Sequence, residues 1–335
     1  MLRAPILLIG GSGVVASWAV RYLREASPDL PLLIGGRDLA KAEQAAAAFG
    51  NAEGVAIDLA ADDLGLGDRA VGAVAIFFRD ETAASLRFAQ ARGVPYIGIA
   101  AGIEEIGVEV AMHMHKPAAA PVVLGTEWLV GATMIPALDC ARRFGRVHAI
   151  AIGALLDDED VGGPAQIADM ESLTQAMPAA LTRRDGRFVW RAGDDAKATF
   201  RAADGAEMAA CAFSPYDVLG LATATGAPNV QFNLATGVSS TRRRGQPMST
   251  EIIIDLAGED DAGQPLRTRH AVVHPDGQMP LTGLGVALVL ERLLGLDGDP
   301  ATPAGLYFPY QLLDPATYLA RLEKIGGTVM ALDAS

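Results

Sequence analysis

Ile6-Leu7-Leu8-Ile9-Gly10-Gly11-Ser12-Gly13-Val14-Val15-Ala16 decides the fold. Four large apolar residues in a row suit a strand buried on both faces, and the glycines that follow at once suit a tight turn into a helix. G-x-G-x-x-A in that strand-to-helix setting is a dinucleotide-binding pattern. Gly11 permits the tight turn, Gly13 lets the backbone approach a pyrophosphate, and small Ala16 lets helix and strand pack closely. The helix start adds free N–H groups and the positive end of its dipole. Gly10, Gly11, Ser12, Gly13, Val14 and Val15 are therefore the expected pyrophosphate cradle.

Outward from this turn, apolar β-type runs alternate with helical stretches as far as Gly125. Strands are predicted at Ile6–Ile9, Pro31–Ile34, Gly54–Ile57, Ala73–Phe77, Tyr96–Ile99 and Val122–Leu124, with helices at Val14–Arg24, Leu39–Phe49, Thr82–Arg92 and Ile106–Ala118. Right-handed crossovers between such strands build a doubly wound sheet with its ligand crevice at the strands' carboxyl ends.

Beyond Gly125 a helix is expected at Val130–Phe144 and a strand at Arg146–Leu156, after which the pattern changes. Polar turns such as Arg184-Asp185-Gly186 and Ala203-Asp204-Gly205 separate short β-type runs. Ser249–Leu256 and Thr268–His274 read as a hairpin across Glu259-Asp260-Asp261-Ala262-Gly263, and helices are expected at Pro164–Ala176, Thr282–Leu294 and Pro315–Ile325. The expected class is α/β: a Rossmann doubly wound parallel sheet with a second, inserted α+β domain of mainly antiparallel sheet. Residues 1–128 would form the first domain, completed by C-terminal helices within 281–335, and residues 129–280 the second, serving substrate binding or dimerisation.

Half of the 335 residues are apolar, enough for a sizeable core, and the formal charge of -13 disfavours nucleic acid and anionic lipid as partners. The two cysteines, Cys140 and Cys211, have no metal-ligand spacing and fit a reducing, cytoplasmic setting. No run of about 18 uninterrupted apolar residues suggests a membrane span.

After the second predicted strand come Gly35-Gly36-Arg37-Asp38, where Arg37 would accommodate a 2′-phosphate. Asp38 would either contact a ribose or cap the next helix. Arg37 tips the cofactor expectation to NADP(H), with NAD(H) as the other option. Asp58 is a candidate adenine contact or a local turn residue. Phe77, Phe78 and Arg79 would pass the ribose and pyrophosphate, Arg79 being otherwise a solvated charge, and Ala101 would complete the cofactor contacts.

The chain resembles the saccharopine dehydrogenase-like oxidoreductases. The resemblance rests on Leu8–Ala16, Gly36-Arg37-Asp38-Leu39-Ala40-Lys41-Ala42, Gly93-Val94-Pro95-Tyr96-Ile97-Gly98 and the turn after Val122-Val123-Leu124. It covers about the first 130 residues, and the rest only in layout. It implies a Rossmann domain completed by C-terminal helices, an inserted domain closing over the nicotinamide, a homodimer, and hydride transfer at a C–N or C=C bond. Gly125-Thr126-Glu127-Trp128 is where branches of the family differ and where the nicotinamide would lie.

Hydride transfer needs a placed substrate carbon and a proton source. Glu127, Tyr216 and His270 are the catalytic candidates, against plainer roles as a helix-start carboxylate, a loop anchor and a sheet residue. Trp128 and Arg243 are the substrate-binding candidates. The run Arg242-Arg243-Arg244 would clamp a carboxylate, or else form a solvated turn or subunit contact. No tyrosine precedes a lysine as Tyr-x-x-x-Lys, and Cys140 reads as a structural thiol. His113 and His115 face different sides of a predicted helix, which speaks against a shared metal. The expectation is an NADP(H)-preferring oxidoreductase of a small, carboxylate-bearing substrate; the alternative is a non-catalytic NAD(P)-binding redox sensor or interaction protein.

Overall fold

The computed structural model describes residues 3–99, 106–160 and 179–333. In the first half, β1 (Ile6–Ile9), α1 (Val14–Ala26), β2 (Leu32–Gly36), α2 (Leu39–Phe49), β3 (Ala52–Ala56), β4 (Ala73–Ile76), α3 (Ala84–Arg92), β5 (Tyr96–Gly98), α4 (Ile106–His115) and β6 (Pro121–Leu124) alternate as expected. All four residues of β1 are at most 1 % exposed. That burial on both faces is why the run carries no alternation, and each such side chain contributes about 1.5–3 kcal/mol.

The second half contains α5 (Met134–Ala141), β7 (Arg146–Asp157), β8 (Ala179–Arg184), β9 (Arg187–Ala192), β10 (Lys197–Arg201), β11 (Glu207–Ala212), α6 (Asp217–Thr225), β12 (Asn229–Gly237), β13 (Thr250–Glu259) and β14 (Pro265–His274). After these come α7 (Met279–Leu293), β15 (Gly305–Tyr307), α8 (Pro315–Lys324) and β16 (Thr328–Leu332). The turn Asp185-Gly186 joins β8 to β9 with φ of 48° and 77°, a primed two-residue hairpin turn.

The described residues form two compact units. The first holds those up to Thr126 together with Thr282–Leu313, and the second those from Glu127 to Leu281 and from Asp314 onward. The first unit's sheet is parallel throughout, in the order β15-β6-β5-β4-β1-β2-β3. Its order reverses between β1 and β4, so the residues after these two strands border the switch-point crevice. Helix α7 packs on α1: a Cβ at Gly283 would lie 2.6 Å from Trp18 Cβ, which accounts for the small residue there.

The second unit's nine-stranded sheet runs β10-β11-β12-β7-β13-β14-β16, with β8 joined to β12 and β9 to β8. Its pairs are antiparallel except β12 with β7. The expected hairpin is β13–β14, pairing Thr250 with His274 through Glu259 with Pro265.

Three expectations need correction or fall outside these residues. The C-terminal segment does not all complete the first unit, because α8 belongs to the second and β16 pairs with β14. Neither β15 nor β16 was expected: β15 has three residues, too few for a period, and β16 is an edge strand exposed along most of its length. The helix expected at Pro164–Ala176 and the contact expected at Ala101 lie outside the described residues.

Candidate active site

The turn after β1 is built on backbone freedom. Gly10 has φ +80°, and a Cβ on it would come within 3.0 Å of the Phe78 ring. At Gly11 a Cβ would lie 2.7 Å from Leu8 O, a collision with backbone that no rotamer change relieves. Gly13 closes the turn by donating its N–H to Gly10 O at 2.9 Å, and is the N-cap of α1. It supplies no side-chain cap, and α1 has no acidic residue in its first turn. Ser12, Gly13 and Val14 are exposed. Among the described residues, no side chain is seen to cap the first-turn N–H groups, which leaves them open to an anion.

The other expected cofactor residues divide. Arg37 is exposed and has no side-chain partner among the described residues. Asp38 caps α2, accepting the Lys41 N–H at 3.2 Å, and Asp58 accepts the Ala60 N–H at 2.9 Å in a local turn. Their plainer readings are thus both present. Phe77 is buried and Phe78 partly so, and both lie against Gly10. Asp80, one residue beyond Arg79, accepts from Ser85 and Thr82 and so fixes the start of α3.

The second unit opens with a different turn. Leu129, Val130 and Gly131 have φ of 52°, 54° and 97°. A left-handed conformation costs a non-glycine residue on the order of 1–2 kcal/mol, and a β-branched residue is seldom found there. Both Leu129 and Val130 are buried, so packing holds them. Strain kept in a buried turn is a mark of functional sites.

Buried polar groups surround this turn. Glu127 is 3 % exposed, and a Cβ on Gly131 would be 3.4 Å from its Oε2. Tyr318 of α8 is fully buried; burial, and then the charge of Glu127, push its phenol well above the usual range. The Trp128 N–H donates to Asp217 Oδ2 at 2.6 Å. Burial pushes the Asp217 carboxyl up to about 7, although the Trp128 N–H pulls the other way. The Trp128 ring packs edge-on against Phe213 and Phe232, at 5.3 and 5.7 Å between centroids, and its Nε1 is buried without a partner among the described residues. Tyr216 precedes Asp217 and packs over Gly220 beside Met134 of α5.

Of the catalytic candidates, Glu127 and Tyr216 each adjoin in sequence one partner of the Trp128–Asp217 hydrogen bond. His270 lies on β14, its imidazole pKa lowered from the usual range by burial and then by Arg143, and no hydrogen bond or ion pair among the described residues joins it to Glu127. Arg243 is engaged within its own unit: Nε and Nη2 reach Asp204 at 2.7 and 2.8 Å, and Nη1 reaches Val238 O. Its fork is already filled, so the expected carboxylate clamp becomes an internal tie. Sequence reasoning missed Asp217, which directly follows the candidate Tyr216, and Tyr318.

The sequence matches no family model and no curated protein. Among solved structures, saccharopine dehydrogenase (L-Glu forming) from Saccharomyces cerevisiae aligns over 98 % of this chain and 100 % of its own, with TM-score 0.66 and 13 % identity. The homospermidine synthase from Legionella pneumophila, solved in complex with NAD, aligns over 99 % of this chain and 91 % of its own, with TM-score 0.64 and 8 % identity. The chain therefore has a saccharopine dehydrogenase-like fold. Among the described residues, no helix is long and apolar enough to cross a membrane.

Proposed function

We propose that the protein is an NAD(P)(H)-dependent oxidoreductase that prefers NADP(H) and acts on a C–N or C=C bond of a small, carboxylate-bearing substrate. The observation that carries this reading is the turn Gly10–Gly13, which meets α1 without a side-chain cap and without an acidic residue in the helix's first turn among the described residues. The NAD bound by the structurally similar homospermidine synthase supports the same cofactor class here. Gly11, Ser12 and Gly13 would hold the pyrophosphate, and exposed Arg37 the 2′-phosphate. When bound, the nicotinamide supplies or accepts a hydride. The chain's own part is to hold a proton at Glu127 Oε, with Tyr216 as the second candidate, in surroundings where burial keeps water out.

Arg37→Ala is expected to weaken NADPH about tenfold and NADH by less than about twofold, about 1–1.4 kcal/mol of discrimination. Titration of each nucleotide checks this, and equal losses remove the 2′-phosphate role. Turnover is sought with imine and enoate carboxylates by nicotinamide absorbance; Glu127→Gln is expected to slow it while leaving NADPH affinity unchanged. A homodimer in the cytoplasm remains part of this proposal.

A further inference from the structure

We infer that Asp217 is a positioning residue for Glu127: by accepting the Trp128 N–H it fixes the peptide plane from which the Glu127 side chain departs. The inference rests on the proposed function in so far as Glu127 is the proton-holding group. That plane is pinned at both ends. The Trp128 N–H goes to Asp217 Oδ2 at 2.6 Å, and the carbonyl of the same peptide unit, Glu127 O, accepts the Val130 N–H at 2.9 Å. The second bond closes the turn on itself, whereas the first ties it to a residue 89 positions away. Without that tie the left-handed Leu129 and Val130 would rest on packing alone.

Asp217 is in the first turn of α6, where a carboxylate ordinarily serves its own helix. Here the carboxylate interacts with its own backbone N–H, and Oδ2 also reaches outside the helix to the Trp128 N–H. The grip also depends on charge, since an ionised carboxylate holds an N–H more strongly than a neutral one. Burial places the change of charge near neutrality.

The elements packed on α6 bring few other charges. Glu127 comes from the turn itself, Asp139 from α5 with Arg142 and Arg143 just after it, and Arg146, His148 and Asp157 from β7. From β8 come Arg184 and Arg183, the latter held at the far end of α6 by Ala222 O and Ala227 O at 3.2 and 3.1 Å. Strand β12 carries none. Burial outweighs all of these at Asp217.

The test uses the full chain with Trp18→Phe and Trp190→Phe, which leaves Trp128 as the sole tryptophan of three. Its fluorescence is followed from pH 5 to 9, alongside hydrogen exchange of residues 127–131. With Asp217 present, a transition centred near 7 is expected. Asp217→Asn should abolish the transition yet keep the exchange that the parent shows below it, because its neutral amide oxygen still accepts the Trp128 N–H as the protonated carboxyl does. Asp217→Ala should speed exchange there by about tenfold or more. The same transition in Asp217→Asn, or unchanged exchange in Asp217→Ala, overturns the inference. NADPH titration of the parent keeps the two readings separable: absence of binding counts against the proposed function, while the Trp128 readout still decides the role of Asp217.

Discussion

The turns that follow β1 and β6 in the chain are both irregular, but they are held by different means. At Gly10–Gly13 the conformation belongs to the residues themselves: Gly10 takes φ +80° at little cost, and Gly11 leaves room for Leu8 O. At Leu129–Gly131 the first two residues have no such freedom, and burial together with the Asp217 tie imposes φ of 52° and 54° on them. The first turn is exposed at Ser12 and Gly13, where the helix start lies; the second is buried at Leu129 and Val130, with buried polar groups beside it. A turn made of glycine can be stiff and open at once, whereas one made of ordinary residues depends on the fold around it.

The largest expected effect concerns the pH response of the buried turn. The folded-state pKa of Asp217 is about 7, above the unfolded value, so between about pH 4 and 7 the folded protein binds the extra proton. This contribution to stability is fully present below pH 4 and is lost as pH rises towards 7, on the order of 4 kcal/mol in all. Asp217→Asn lacks it, so denaturant unfolding should show the variant gaining on the parent across that range. A constant difference between the two would place Asp217 in a more polar setting than the structure has. No comparable slope is expected from Gly11→Val.

The same contrast explains what could be read from sequence. The glycine turn, the alternation of the first six strands and the β13–β14 hairpin were legible because local chemistry dictates them: glycine where φ is positive, apolar runs where both faces are covered. Left-handed Leu129 and Val130 were not legible, because nothing local favours that conformation. Nor was Asp217, whose meaning depends on Trp128, 89 residues away. Arg243 looked available only because Asp204, its partner, is 39 positions distant.

A smaller effect sharpens the comparison at Leu129. At an ordinary position alanine is more favourable than glycine, but at positive φ the order inverts. Leu129→Gly is thus expected to be more stable than Leu129→Ala by about 1 kcal/mol in denaturant unfolding. The ordinary order would show that the turn is not left-handed in solution. At Gly10, where glycine is already present, Gly10→Ala should cost about 1–2 kcal/mol for the same reason.

The smallest effect is chemical. Cys140 lies on α5, which begins just after the strained turn, and burial pushes its thiol up to about 11. Exposed Cys211 should react with a thiol reagent at pH 8 at once, and Cys140 only as fast as α5 opens. Equal rates for the two would mean that the buried turn is not closed.

The most direct measurement is a titration of the purified chain with NADPH, followed by tryptophan-to-nicotinamide energy transfer, beside Gly11→Val as control. Saturable binding by the parent, weakened roughly a hundredfold or about 3 kcal/mol in Gly11→Val while Trp128 keeps its own pH transition, is the predicted result. Absence of binding by the parent, or equal affinity in Gly11→Val, would contradict the assignment of the Gly10–Gly13 turn as the dinucleotide site.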